Sequence, residues 1–436
     1  MWQTCNKVSY NVHCVIMGGG RGDRLFPLTM HRCKPAMPLA GRYRLIDIPI
    51  SNCLNSGFKK IYILTQFNTR SLHRHIEETY KFDIFGRSKI EILQAEQDSA
   101  NDCQWYSGKA DAVRKNLKHI RPKRGDIILI LSGDQLYRMD LAKFVNAHKE
   151  SGADVTVSAK AIPESKVSSF GIMSVDDQLK IKEFVEKPKK TESIRSCAVP
   201  SSIRSTLSDK NDGAYYLASM GIYAFSAGAL CEILNEGVKD INDFGKDVLP
   251  DMLKQNYHMR GYVFDDFWED VGTVRSFFDT NLMLTDSVPK FNFFDTENPI
   301  YTRARCLPAC KIDNCKIEST LLSDGCIISG ATLNRCVIGH RSVINHGSFL
   351  ENVIMFGAGY FDRGNAEVAS RGDIQLGIGR DCVIKNTIID KNVRIGDGVQ
   401  IDPSGKPDGY EDYGIYVRDG IACVTREAKI ENGTIF

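Results

Sequence analysis

The run His13-Cys14-Val15-Ile16-Met17-Gly18-Gly19-Gly20-Arg21-Gly22-Asp23-Arg24-Leu25 decides the reading of the first part of the chain. Apolar residues with strand character stop at a cluster of glycines, as a buried strand does when it feeds a tight turn at the edge of a sheet. The pattern recurs downstream. Lys60-Ile61-Tyr62-Ile63-Leu64-Thr65 is a second strand, and Ser71 to Tyr80 has the spacing of the helix after it. Asp126-Ile127-Ile128-Leu129-Ile130-Leu131 is so continuously apolar that it belongs in a strand covered on both faces, the mark of a central parallel sheet. Leu141 to Glu150 follows with helical spacing, and Asp154 to Ala159 returns to strand periodicity. This alternation predicts an open α/β sheet with its functional site at the carboxyl ends of the strands. Residues 189–213 are polar and patternless, an excursion from that sheet.

After Pro289 the texture changes. Aliphatic residues recur every five or six positions: Ile312, Ile317, Leu322, Ile328, Leu333, Ile338, Ile344 and Leu350, then Ile378, Ile384, Ile389, Ile395 and Ile401. Small and polar residues stand between them, as in Ile395-Gly396-Asp397-Gly398. A hexad period of this kind predicts a parallel β-helix, one short strand on each side of a triangular coil. A β-sandwich is the alternative, but its strands return about every 8–12 residues. The Gly-rich, charged break from Gly357 to Asp373 is expected to project from one coil as a loop. The change of period divides the chain into residues 1–289 and 290–436.

Composition agrees with two domains. The chain has 436 residues, 56 Lys+Arg against 54 Asp+Glu, and 42 % apolar residues; a single core rarely grows past about 250–300 residues. A net charge of +2 excludes a globally basic nucleic-acid binder. No stretch approaches the roughly 18 apolar residues of a membrane span. Met1-Trp2-Gln3-Thr4-Cys5-Asn6-Lys7 lacks the charged and apolar regions of a secretory signal, which predicts a cytoplasmic protein with reduced thiols. The 14 cysteines form no CxxC pair and no zinc spacing with histidine, so Cys306, Cys310 and Cys315 read as small apolar residues.

Chemistry concentrates at the glycine turn. It is not a dinucleotide fingerprint, whose third glycine would fall on Asp23, nor a Walker A loop, which needs Gly-Lys-Ser/Thr. Successive glycines still let backbone N–H groups converge on an anion. Arg21, Arg24, Arg32 and Lys34, opposed only by Asp23, leave a local excess of three positive charges. Glycines and cations together suggest a polyphosphate ligand. Asp134, in Leu131-Ser132-Gly133-Asp134-Gln135, ends the buried strand where an α/β protein would hold a metal. Mg²⁺ on a phosphate needs only one or two protein carboxylates. Asp270, in Phe267-Trp268-Glu269-Asp270-Val271-Gly272-Thr273, is the candidate for the second, and Glu186-Lys187 closes another strand with an acid and a base.

These residues lie in stretches that resemble the glucose-1-phosphate adenylyltransferase (ADP-glucose pyrophosphorylase) family. The resemblance is carried by Arg32-Cys33-Lys34-Pro35-Ala36, Tyr43-Arg44-Leu45-Ile46-Asp47-Ile48-Pro49-Ile50-Ser51-Asn52-Cys53 and Thr65-Gln66-Phe67-Asn68. It continues through Trp105-Tyr106-Ser107-Gly108-Lys109-Ala110-Asp111-Ala112-Val113, Ala218-Ser219-Met220-Gly221-Ile222-Tyr223 and Asp243-Phe244-Gly245-Lys246-Asp247. It implies a Rossmann-like nucleotidyltransferase domain followed by a left-handed parallel β-helix, assembled as a homotetramer. The implied reaction is ATP + α-D-glucose 1-phosphate → ADP-glucose + pyrophosphate, for glycogen- or starch-type synthesis.

The resemblance also implies roles. Backbone amides of Gly18, Gly19, Gly20 and Gly22 would cradle the triphosphate, with Gln97 and Gly108 to Asp111 on the adenine side. Arg24 and Lys34 would neutralise charge on the departing pyrophosphate, and Asp134 and Asp270 would hold Mg²⁺. Lys187 would fix the sugar's phosphate, with Gly171, Glu186, Ser219 and Asp243 around the hexose and Tyr106 also on the sugar-phosphate side. His31, Lys391 and Arg426 match positions that bind small-molecule allosteric effectors in relatives. The chain departs from the family pattern at Asp23, where Thr or Ser is usual, and at Lys109, where the family has Thr, beside the expected base. Gly357-Ala358-Gly359-Tyr360-Phe361 matches the family only loosely. Rival readings are an enzyme using UTP or dTTP, an inactive regulatory subunit that retention of Arg24, Lys34, Asp134 and Asp270 argues against, and an acyl- or acetyltransferase fusion. The last lacks a His-centred motif, because His340 and His346 fall on turn positions.

Overall fold

A computed structural model describes residues 11–83, 88–96, 105–188, 194, 196–205, 207, 215–235, 241–362 and 373–436. The strand Val12–Met17 lies between Lys60–Thr65 and Ile127–Ser132 and runs parallel to both. Lys89–Gln94 extends the sheet beyond Lys60–Thr65, and Tyr215–Ser226 adds antiparallel on the other side of Ile127–Ser132. Gly171–Val175 and Ile181–Glu186 continue the sheet past Tyr215–Ser226, which also pairs with Val155–Pro163. Leu129 and Leu131 face one apolar layer, Ile128 and Ile130 the other, which is why this strand is apolar throughout.

The predicted helices appear at Arg70–Thr79 and Leu141–Ser151. Asp140 accepts a hydrogen bond from the Lys143 amide to start the second, and Gly152 at φ +62° ends it. Most of the predicted excursion at 189–213 lies outside the described residues; Ser201–Arg204 forms one helical turn. No helix among the described residues is long and apolar enough to cross a membrane.

The C-terminal coils stack as parallel strands in register. Ile312, Ile328, Ile344, Ile378, Ile395 and Ile430 form one column. Ile317, Leu333, Leu350, Ile384 and Ile401 form the second. Leu322, Ile338, Met355, Ile389 and Val424 form the third. All the aliphatics of the hexad pattern therefore fall in these three columns, and all but the exposed Ile312 of the first coil pack into the interior. Cysteines serve as small corner residues: Cys310 donates to Ser323 O, Cys326 to Gly339 O and Cys382 to Gly396 O. The twelve described cysteines are free thiols. Part of the predicted loop after Gly357, residues 363–372, lies outside the described residues. A second interruption went unread in the sequence: Glu411–Asp412, Ile415–Arg418 and Ile421–Val424 form an antiparallel meander before the coils resume.

The two parts share one continuous apolar cluster that joins Phe277 and Leu282 to Val337, Phe356 and Cys423. Buried Asp47 organises the junction. It accepts from His75 Nε2 at 2.6 Å, Tyr80 OH at 2.8 Å, the Arg44 amide at 2.9 Å and Thr302 Oγ1 at 2.7 Å. Ser51 and Asn55 bind the backbone of Tyr301 and Pro299. The Asp47–Asn55 helix thus ties the first domain to the segment leading into the β-helix.

Candidate active site

A cleft opens at the carboxyl ends of the parallel strands, in two halves that share Met17, Lys34, Lys109, Ser132 and Asp134. At their meeting point Lys34 Nζ lies 2.6 Å from Asp134 Oδ2 and 3.6 Å from Asp270 Oδ1. Ser132 Oγ donates to Asp134 Oδ1 at 2.6 Å. Asp134 follows Ile127–Ser132, and Asp270 ends Trp268–Asp270, which pairs with Gln135–Tyr137, so sheet geometry alone brings the two carboxylates together.

Burial acts to raise the Asp134 pKa, but the Lys34 and Lys109 charges and the Ser132 hydroxyl hold it well below the usual carboxylate range. Asp270 is pushed up by burial and by the like charge of Asp134. Burial acts to lower Lys34, yet the two carboxylates outweigh it and hold its pKa above the ordinary value. Two acids crowded onto one ammonium fit a divalent cation that takes its remaining ligands from phosphate oxygens. No group of three or more His, Cys, Asp or Glu side chains among the described residues is placed to hold a metal ion; Asp134 and Asp270 are the two carboxylates against Lys34.

One half of the cleft is lined by Gly171, Glu186, Lys187, Ser219, Gly221 and Asp243. Close packing shapes it: a Cβ on Gly171 would come within 2.6 Å of Glu186 Oε2, and one on Gly245 within 2.5 Å. Lys187 adopts φ +47°, with its amide held by Phe170 O. Its Nζ is 3.8 Å from Glu186 Oε1. Burial, then the Asp243 charge, pushes the Glu186 carboxyl up. Asp243 in turn caps the helical turn Phe244–Val248 through the amides of Gly245 and Lys246. Ser219 stands where the long strand bulges, its Oγ accepting from the Gly221 amide at 3.2 Å, with Gly221 at φ +69°. Arg24 lines the same half, its guanidinium against Gly272, beside Asp270.

The other half is lined by Gly19, Gly20, Arg21, Gln66, Phe67, Tyr106 and Gly108. Arg21 lies over the Phe67 ring, which stacks on Trp105 at 5.5 Å between centroids; this stack was not foreseen from the sequence.

Several expected site residues are placed elsewhere. Gly18 donates its amide to Leu64 O at 2.7 Å, continuing the sheet, so that amide is not free for a phosphate. Gly22, at φ +74°, starts the turn that carries Arg24 and does not line the cleft. Asp111 is buried and turned away: it accepts from the Ser107 amide and pairs with Arg114 and Lys115, fixing the loop before its helix. Tyr106 lies in the Gly19 half, away from Lys187, its hydroxyl accepting from Asn116 Nδ2. Gln97 lies outside the described residues.

Away from the cleft, Lys391 is depressed to about 7 by burial and by the nearby charges of Arg44, Arg305 and Arg32. Arg426 pairs with Glu427, whose amide donates to Lys391 O, so these two expected residues are neighbours. His31 is exposed beside Arg32.

Comparison with known protein families agrees with this geometry. The model of the Nucleotidyl transferase family matches residues 13–287. That of the GLGC left-handed parallel beta-helix domain matches residues 305–435. The chain belongs to the nucleotidyl transferase family and carries the domain architecture of glucose-1-phosphate adenylyltransferases.

Proposed function

We propose that the protein is a glucose-1-phosphate adenylyltransferase, which joins ATP and α-D-glucose 1-phosphate into ADP-glucose and releases pyrophosphate. The observation that carries this reading is the two-part cleft with Lys34, Asp134 and Asp270 at its junction. A phosphate oxygen of the sugar forms the new bond to the α-phosphorus, and the bond from that phosphorus to the β-phosphate bridging oxygen breaks. Both partners are anions, so positioning and charge neutralisation carry the catalysis. Lys187 orients the sugar phosphate while Glu186, Ser219 and Asp243 accept or donate hydrogen bonds to the hexose. Gly19 and Gly20 let backbone approach the triphosphate, and Arg24 and Lys34 offset charge on the departing pyrophosphate. Asp134 and Asp270 would hold Mg²⁺, which when bound supplies Lewis-acid polarisation of the phosphoryl oxygens.

The β-helix of GLGC type favours ATP as the nucleotide and a role in α-glucan synthesis. Supplying ATP, UTP and dTTP separately with glucose 1-phosphate, and measuring pyrophosphate release, tests base choice. ATP is expected to be preferred; preference for UTP or dTTP would replace this reading by the corresponding nucleotide-sugar synthase. A further reading, allosteric control by a small anion, is favoured by the neighbouring Lys391 and Arg426 and by the Arg44 and Arg305 charges near Lys391, Arg32 there being paired with Asp390. Activity measured with and without sugar phosphates, glycolytic acids, AMP and phosphate tests it.

A further inference from the structure

Of the five residues common to both halves of the cleft, two are cations. Lys34 is engaged with Asp134 and Asp270. Lys109 makes no ion pair within 4 Å among the described residues, although it lines both halves and its charge acts on Asp134, Asp270 and Glu186. Its backbone is fixed from two sides. Lys109 is the first residue of the helix Lys109–Ile120, and the next amide, that of Ala110, donates to Asn242 O at 3.0 Å. A Cβ at Gly108 would overlap the same carbonyl, so the helix start is pressed against the segment that presents Asp243. A cation in the first turn of a helix opposes the helix dipole. A residue placed against a local rule in a cleft, with no ion-pair partner among the described residues, is accounted for by an anionic ligand.

We propose that Lys109 is a catalytic residue of the transfer: its ammonium contacts the phosphoryl oxygens where the two halves meet, those of the α-phosphate and of the incoming sugar phosphate. It acts by charge alone. The oxygen–phosphorus bond forms and the bridging bond breaks with no proton passing through Lys109. Lys109 is thus the cation left free at the junction while Lys34 is held by the carboxylates. The proposal rests on the nucleotidyl-transfer reading of the cleft.

Lys109→Thr, Lys109→Gln and Lys109→Arg test it, with steady-state kinetics and with ATP affinity measured by calorimetry. The Thr and Gln variants are expected to lose about 10-fold or more in kcat and about 3-fold in ATP affinity, while Arg stays within about 3-fold of the parent in both. Their thermal midpoints are expected to match or exceed the parent's, because an unfavourable dipole contact is removed, and this separates lost chemistry from lost folding. A Thr or Gln enzyme with kcat within about 2-fold of the parent overturns the proposal, whatever its KM. If the parent chain forms no nucleotide sugar from ATP, UTP or dTTP, the nucleotidyl-transfer reading itself fails. ATP affinity then decides the Lys109 contact alone: weakening in Lys109→Gln supports it, and unchanged affinity overturns it.

Discussion

Arg32 and Asp390, 358 residues apart, form a buried two-bond ion pair with N–O distances of 2.8 and 2.6 Å. Each side chain is 4 % exposed. The pair clamps the β-helix to the segment that carries Lys34, two residues on, and the Arg32 guanidinium also lies over the Phe356 ring. A second contact joins the same parts: Phe26 packs edge-on against Tyr416 of the C-terminal meander, under Arg418. The segment from Phe26 to Lys34 is therefore held at two points by the domain that follows it.

Removing one partner of a buried pair leaves the other charge uncompensated. Arg32→Met is expected to destabilise the protein by about 3–5 kcal/mol, and adding Asp390→Leu to recover much of the loss. Urea unfolding of the single and double variants checks this; equal stability of Arg32→Met and parent would mean the pair does not hold the domains.

Asp134→Asn keeps the shape of the side chain and removes its charge. Turnover is expected to fall by orders of magnitude, with glucose 1-phosphate affinity nearly unchanged. Near-normal turnover would remove Asp134 from the metal role.

Lys187→Ala is expected to act mainly on the KM for glucose 1-phosphate, because Lys187 borders Glu186 in the half assigned to the sugar. Steady-state kinetics with each substrate varied in turn decides it, and an unchanged KM for glucose 1-phosphate would mean the sugar half is misassigned.

Stability is expected to fall on acidification through buried histidines. Burial depresses His148 and His340 from 6.5 to about 4. Below pH 6.5 the unfolded chain takes up protons that the folded chain refuses until about pH 4, so stability is lost across that window. Each histidine contributes up to about 3 kcal/mol to the loss. Urea midpoints between those limits test this, and a His148→Gln/His340→Gln variant is expected to flatten the slope.

The coils of the β-helix were legible because every turn must place an aliphatic residue inward, so the pattern is local and repeats. The meander at 411–424 was not: its first two strands turn through Tyr413 and Gly414 at positive φ, and its third finds a partner far back, at Thr387–Ile389. That Asp134, Asp270 and Glu186 line one cleft was legible from their positions at strand ends. What no local pattern showed is that backbone engages Gly18 and Asp111, one through Leu64 O and the other through the Ser107 amide. No local pattern encodes the Arg32–Asp390 pair; its partners meet only after both domains have folded.

On the proposed function, the two halves of the cleft join a nucleotide to a hexose phosphate. Phosphorus NMR of the purified chain with Mg²⁺, ATP and glucose 1-phosphate tests it most directly. The two coupled ADP-glucose resonances are expected to grow in step with pyrophosphate, and to be absent with Asp134→Asn. A glucose 1-phosphate resonance that stays undiminished, with ATP intact or merely hydrolysed, would contradict it.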